Sequence, residues 1–222
     1  DDNGNIFIVD QITHTIRKID YTNGAIETVA GESYISGVGN NVNATSQGTL
    51  NAPVGVYVDD SGVIYIADTG NHAVRKVDIN GTISIVAGDI GVAGNGRTGS
   101  LAVDAELNTP KKVIVDNSGV IYIADTGNHA VLTVDTSGHI STFAGTLGYE
   151  NNSGDGGDAD SASLSYPQGL AIDSAGSVYI ADTNNHVIRK VATDGTISRF
   201  AGSYSMGSSG DGGLATSAKL NT

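Results

Sequence analysis

Histidine is the residue type in this chain best suited to metal binding or acid–base chemistry, and four of the five histidines recur at a nearly fixed spacing. His14, His72, His129 and His186 are separated by 58, 57 and 57 residues. Each lies at the same place in a repeated segment, so a fold built from such repeats holds them apart. Because a zinc site needs ligands about 2 Å from one ion, we expect each histidine instead to tie a turn to a neighbouring strand by hydrogen bonds.

Four aspartates recur with the same period, each four residues before a repeat histidine: Asp10, Asp68, Asp125 and Asp182. We expect these carboxylates to accept backbone N–H bonds from the turn that follows, a common use of aspartate. His139 is the histidine outside the repeat position, in TSGHIST at a predicted hairpin tip. No second unmatched His or Cys exists to act with it, which indicates an exposed loop residue.

Acidic residues in one connecting segment are the candidates for a cation site. Asp155, Asp158 and Asp160 form a D-x-x-D-x-D pattern, and carboxylates at this density could bind Ca²⁺ with help from carbonyl oxygens. The parallel segment at 209–220 keeps only Asp211. That loss favours the alternative that the shared GDGG sequence serves turn geometry, with glycine supplying positive φ. We therefore predict no cofactor, with calcium as the weaker alternative.

Two cations depart from the repeat pattern. Lys111 and Lys112 stand where the other units have Val-Gly at 54–55 and Gln-Gly at 168–169. Lysines at the entry to a strand could contact an anionic ligand, although a solvated loop is the favoured interpretation. N-glycosylation sequons occur at Asn43, Asn80 and Asn151, about the number that the composition produces by chance.

The elements that position these residues are short strands. Residues 53–88 contain four β-branched runs, VGVYVD, VIYIAD, AVRKVD and TISIVAG, separated by Gly, Asn and Asp turn signals. Such runs predict an antiparallel meander, and strands apolar on both faces are typical of a sheet covered on both sides. Four-stranded sheets that repeat are the blades of a β-propeller. An A-x-x-A-x-L stretch after each GDGG predicts one helical turn on a blade edge.

The fold class predicted is therefore all-β, a β-propeller-type array of four four-stranded antiparallel blades. The repeat units are approximately 1–52, 53–109, 110–166 and 167–222, and the first blade lacks its inner strand. We treat residues 1–222 as a single propeller or a propeller segment. We expect a segment of a longer repeat protein, with a natural four-bladed ring and an open arc completed by another copy as alternatives.

The recurring segment IADxxNHxVRKV resembles the NHL repeat, named after an Asn-His-Leu signature. The signature here reads Asn71-His72-Ala73, Asn128-His129-Ala130, Asn185-His186-Val187 and, most divergent, Thr13-His14-Thr15. The literal Leu is missing from every copy, whereas the flanking IAD and RKV elements make the match specific. The resemblance covers nearly the whole chain, and the GDGG connectors resemble those of multi-repeat bacterial and protist members. It implies a propeller, most often six-bladed, in a family of RNA-binding proteins, sensor or adhesion ectodomains and a metal-dependent lyase group.

Charge and composition argue against several functions of this family. Eleven Lys and Arg against 24 Asp and Glu leave a net charge of −13, which argues against nucleic acid and anionic membrane surfaces as partners. The chain has no Cys, no 18-residue apolar run and no G-x-S-x-G, HExxH or Walker motif. The lyase group needs extra His ligands that are missing here.

We therefore expect a non-enzymatic extracellular or cell-surface scaffold, adhesion or structural repeat protein. It would act through protein or glycan contacts, with further repeats or other copies of the chain among its partners in a head-to-tail assembly. A metal-dependent lyase-like enzyme and an intracellular interaction module are the alternatives.

Overall fold

The computed structural model describes residues 1–96 and 99–221. Within these ranges the chain consists of short antiparallel strands and single turns of 3₁₀ helix. The first blade contains β1 (Ile6–Asp10), β2 (Thr15–Ile19) and β3 (Ile26–Ala30), and the second contains β4 (Val42–Asn43), β5 (Gly55–Val58), β6 (Ile64–Asp68), β7 (Ala73–Val77) and β8 (Thr82–Ala87). The third blade contains β9 (Lys112–Val115), β10 (Ile121–Asp125), β11 (Ala130–Val134) and β12 (Ile140–Ala144). The fourth blade contains β13 (Pro167–Ile172), β14 (Val178–Asp182), β15 (Val187–Val191) and β16 (Ile197–Ala201).

The four sheets confirm the predicted propeller of four blades. Each blade contains a meander in which strands that follow one another are hydrogen-bonded neighbours, and the first blade has three strands because it lacks the inner one. The second blade differs from the prediction, since its sheet has five strands. The extra strand β4 comes from the preceding connector and pairs antiparallel with β8, Val42 opposite Ile83. A connector of mixed polar sequence can pair in this way because the bonds are made by its backbone.

The 3₁₀ turns fall at two kinds of place. One kind follows the IAD strand and precedes the repeat histidine: Thr69–Asn71, Thr126–Asn128 and Thr183–Asn185. The other kind lies in the connectors, at the A-x-x-A-x-L stretches: Ala102–Asp104, Ala159–Ser161 and Ala215–Ser217. In the described residues, no helix has the length and apolarity needed to cross a membrane.

The core consists of layers, each formed by one blade, the connector that follows it and the next blade. Between the first and second blades, Ile16 packs with Leu50 of the connector and with Ile66 and Ile83. The two later layers repeat this arrangement around the buried leucines Leu107 and Leu164. Aliphatic burial between blades is therefore the main stabilising interaction, and each connector is part of the core.

Candidate functional site

Three of the repeat histidines, His14, His72 and His129, join a hairpin turn to the start of the next inner strand. His72 Nδ1 accepts a hydrogen bond from the Thr109 backbone N–H at 3.1 Å, and His14 Nδ1 accepts one from Ala52 at 2.9 Å. His72 itself closes its turn in the left-handed region, at φ 53°. The four histidines lie in separate blades, and the structure does not bring them together as a metal or catalytic site.

Three of the four repeat aspartates, Asp68, Asp125 and Asp182, are fully buried in polar networks. Asp68 Oδ1 accepts the Asn51 backbone N–H at 2.7 Å, and its Oδ2 accepts from Asn71 Nδ2 at 2.8 Å and from Arg75 at 3.3 Å. The side chains of Asp68 and Arg75 are both fully buried, and Arg75 also donates to the Gly39 carbonyl. The backbone donor to Asp68 therefore lies in the preceding connector, 17 residues away, and not in the following turn as expected from the sequence. The network locks a connector onto the next blade. In the first blade the expected bond is present, since Asp10 accepts the Thr13 backbone N–H at 3.3 Å.

The fourth blade repeats this network and the third blade breaks it. Asp182 accepts from the Ser165 backbone N–H at 2.6 Å and pairs with Arg189 at 3.5 Å. In the third blade the arginine is replaced by the buried Leu132. Burial raises the pKa of Asp125 there to about 7, against the hydrogen bonds that favour its ionised form. Burial likewise raises the pKa of Asp182 to about 6.

These carboxyl groups give stability a predictable pH dependence. Because the folded pKa of Asp125 is raised above its ordinary 3.8 to about 7, its contribution to stability is complete below about pH 4 and is lost as the pH rises through 7. The pKa values of Asp68 and Asp182 are raised to about 6, so their contributions to stability are likewise lost as the pH rises through 6. The urea midpoint should therefore be lower at pH 8 than at pH 5.

Asp125→Asn provides the check on this assignment. Asparagine keeps an acceptor for the Asn108 backbone N–H and cannot ionise, so the decline of the urea midpoint between pH 6 and 8 should become shallower. Exposed turn aspartates such as Asp135 should not affect this decline between pH 6 and 8. The hydrogen bond from Ser137 lowers the pKa of Asp135, so its contribution to stability changes only at acid pH. An unchanged decline in Asp125→Asn would contradict the assignment.

One face of the first blade is the most unusual surface of the molecule. Ile6, Ile8 and Ile26 are 59%, 37% and 51% exposed, whereas their equivalents in the second blade, at 64, 66 and 83, are at most 8% exposed. In that blade the preceding connector supplies the cover, through Ala44 and Leu50. We call the surface formed by Ile6, Ile8, Arg17 and Ile26 the first-blade face. Its residues occupy the positions that contact a connector in the second blade. No described residues of a connector cover them here.

The final connector, residues 203–221, presents the matching half of such an interface. Its Ala215 is exposed and its Ala218 and Leu220 are partly exposed, whereas the equivalents Ala162 and Leu164 are fully buried. The preceding connector also makes an ion pair with the blade that it covers, from Asp155 to Arg189 at 2.9 Å. Asp211 stands at the place of Asp155 in the final connector.

The candidate calcium residues do not gather around a common point. Asp155 is engaged by Arg189 and by the Tyr204 hydroxyl at 2.8 Å, and Asp160 accepts from Ser161 Oγ at 3.1 Å. The described part of the chain contains no group of three or more His, Cys, Asp or Glu side chains able to hold a metal ion. The acidic connector instead supplies an ion pair between a connector and a blade.

The inner strands β9 and β13, with Tyr57 of β5, line an open cavity of about 560 Å³. Lys112, Tyr57, Ile114 and Leu170 line it, together with the turns that follow β9 and β13. Lys111 does not line this cavity, so the structure separates the two lysines that the sequence singled out.

The remaining candidates lie on the surface. His139 is exposed at its hairpin turn, where its Nδ1 lies 2.9 Å from Ser137 Oγ. The sequon asparagines Asn43, Asn80 and Asn151 are also exposed.

The four blades, the interblade connectors and the histidine-capped turns define the class of the protein, a β-propeller with an inner-strand cavity. Family models agree with this class: the NHL repeat model matches residues 50–77 and 107–133, and the teneurin NHL domain model matches residues 147–221. The chain belongs to the NHL-repeat family of β-propellers.

Similar proteins share this repeat and are much longer. The chain is 28% identical over 201 residues to Protein SUPPRESSOR OF QUENCHING 1, chloroplastic, of Arabidopsis thaliana. The matched segment covers 85% of the chain and 18% of that protein. It is 30% identical over 208 residues to Teneurin-4 of Mus musculus, covering 84% of the chain and 7% of that protein. The chain thus spans less than a fifth of the length of either relative.

A solved structure supports the fold at low sequence identity. A Bacteroides thetaiotaomicron protein described as of unknown function superposes with a TM-score of 0.67 at 19% identity, over 94% of this chain and 47% of the other.

Proposed function

We propose that the chain is a non-enzymatic scaffold that works through protein contacts, and that its first-blade face binds a repeat connector. In the 222-residue chain that connector is the final connector of a second copy. The observation that carries this proposal is the interface between a connector and the next blade, which the chain already makes three times in the same geometry. An apolar face of this kind is stabilised by being covered. Head-to-tail contacts of this type form a ring when the rotation closes and a filament when it does not.

The existing interfaces specify how the two copies would meet. In the third interface, Gly156 N–H donates to Ile197 C=O at 2.7 Å and Ala159 N–H donates to Gly195 C=O at 3.0 Å. The equivalent bonds between copies would run from Gly212 to Ile26 and from Ala215 to Gly24. The leucine of the final connector, Leu220, would cover the exposed isoleucines of the face.

Charge complementarity supports the same arrangement. Arg75 and Arg189 each pair with a carboxylate, whereas Arg17, at the same repeat position, makes no ion pair with any described residue. Asp211 would supply the missing partner for Arg17, as Asp155 does for Arg189. Opposite charges placed in this way fix the register of an interface.

The absence of enzymatic activity and the extracellular or cell-surface location belong to the same proposal. The repeat histidines His14, His72 and His129 are engaged as acceptors at blade junctions, which supports a structural use. The strongly acidic composition supports protein or glycan partners over nucleic acid. Fractionation of cells that produce the tagged full-length protein tests the location, and recovery from the cytoplasm alone would favour the intracellular alternative.

Sedimentation velocity of the 222-residue chain over a range of concentrations tests the docking. We expect association above 22.5 kDa, and we expect Ile8→Lys to weaken it by at least about tenfold because it places a charge in the apolar contact. Ile12→Lys is the matched control, since Ile12 is 81% exposed in the turn beyond the face. A chain that stays at 22.5 kDa at every concentration, or equal effects of the two variants, would contradict the proposal.

A further inference from the structure

Lys112 occupies a place in the inner strand where the neighbouring units have glycine. Gly55 and Gly169 are its equivalents, and both are crowded. A Cβ at Gly55 would collide with the Lys111 carbonyl oxygen of the next inner strand, and one at Gly169 would lie 3.1 Å from Ala181 Cβ. The third unit therefore accommodates a long cationic side chain where the second unit excludes a side chain and the fourth leaves little room for one.

The ammonium group of Lys112 has hydrogen-bonding capacity to spare. It donates to the Val56 carbonyl oxygen at the long distance of 3.5 Å. It makes no ion pair with a described residue, unlike the buried Arg75 and Arg189. Burial lowers the pKa of Lys112. Because an ammonium group has three donors, a ligand anion in the cavity would supply partners that the protein does not.

The rest of the cavity has a mixed character. Ile114 and Leu170 are apolar, and the ring of Tyr57 is held in place by a hydrogen bond from its hydroxyl to the Val115 carbonyl at 3.0 Å. An apolar wall faced by polar and charged groups, as here, can hold a small molecule, whose sites range from about 300 to 1,000 Å³.

The far end of the cavity offers acceptors that are already partly satisfied. Asp116 Oδ1 accepts the Ser118 and Val120 backbone N–H groups. Asp173 Oδ2 accepts the Tyr179 hydroxyl at 3.1 Å and lies 3.8 Å from Lys190 Nζ. These carboxylates disfavour a multiply charged anion such as a phosphate ester. They suit neutral donors, and the hydroxyl groups of a ligand are such donors.

We propose that this cavity binds an acidic sugar, a small polyhydroxylated molecule with one carboxylate. The carboxylate pairs with Lys112, the sugar ring lies against Tyr57, Ile114 and Leu170, and hydroxyl groups donate to Asp116 and Asp173. The positive charge of Lys112 neutralises the single carboxylate of the ligand, and the carboxylates of Asp116 and Asp173 accept hydrogen bonds from its hydroxyl groups. This binding is independent of the contact between copies.

Titration calorimetry with glucuronate, and with glucose as the uncharged probe, tests the site. The wild-type chain should bind glucuronate more tightly than glucose, and Lys112→Gly, which restores the residue of the other units, should weaken glucuronate binding by at least about tenfold. Lys111→Ala removes the same charge outside the cavity lining and should bind like the wild type.

Circular dichroism and thermal melting establish that Lys112→Gly keeps the fold before binding is compared, and Lys112→Met is the second variant if it does not. Three results would overturn the proposal: no measurable binding of glucuronate to the wild type, equal affinity for glucose and glucuronate, or unchanged glucuronate binding in the folded Lys112 variant.

Discussion

Arg75→Leu should lower the free energy of unfolding by about 3–5 kcal/mol, because it leaves the carboxylate of Asp68 buried without its counter-ion. The pair is fully buried and its two atoms are 3.3 Å apart. The loss should be larger at pH 8 than at pH 5, because protonation relieves the unpaired carboxylate at the lower pH. Urea denaturation at both pH values measures the effect.

Two further variants separate the lost ion pair from lost packing. Lys76→Leu changes an exposed cation in the same strand and should alter the free energy of unfolding by less than about 0.5 kcal/mol. Asp68→Asn combined with Arg75→Leu removes the buried charge and should recover part of the loss at pH 8. If Arg75→Leu were as mild as Lys76→Leu at both pH values, the network would have no role in stability.

Gly88→Ala should destabilise the fold by about 3 kcal/mol, through a strained backbone and a steric clash together. Gly88 has φ of 104°, and a Cβ there would lie 2.5 Å from the His72 carbonyl oxygen. Its N–H also donates to Ala102 C=O at 2.9 Å, which joins the blade to its connector. A shift of the blade to relieve the clash would therefore disturb the connector as well.

The matched control for the clash is Gly62→Ala. Gly62 has φ of 85° with no atom within 4 Å of the added Cβ, so strain alone should cost about 1 kcal/mol. Thermal melting of both variants compares the two effects. Equal losses would show that the contact between Gly88 and the histidine turn is unimportant.

Most of the fold could be predicted from the sequence because the signals are local and repeat. The strand runs, the turn residues and the A-x-x-A-x-L turns each occupy a few consecutive residues, and repetition fixes their phase. The strand β4 was missed because Val42–Asn43 pairs through its backbone with β8, and such pairing leaves no side-chain pattern in the sequence.

The candidate surfaces could be predicted only in part, because they depend on contacts between distant residues. The backbone donor to Asp68 is Asn51, 17 residues earlier, so local turn chemistry pointed to the wrong partner. The arginines seven residues after Asp68 and Asp182 are visible in the sequence, and this spacing is the signal that could have predicted the two buried pairs. The substitution at Lys112 was visible too, whereas the cavity that it lines arises from three strands.

A charge exchange between copies tests the central claim, that the final connector of one copy binds the first-blade face of another. Arg17→Asp places two like charges in the proposed pair with Asp211, and Asp211→Arg does the same with Arg17, so each variant alone should sediment as a monomer of about 22.5 kDa. An equimolar mixture restores opposite charges at every contact and should associate as the wild type does. A mixture that remains monomeric, or single variants that assemble like the wild type, would contradict the claim.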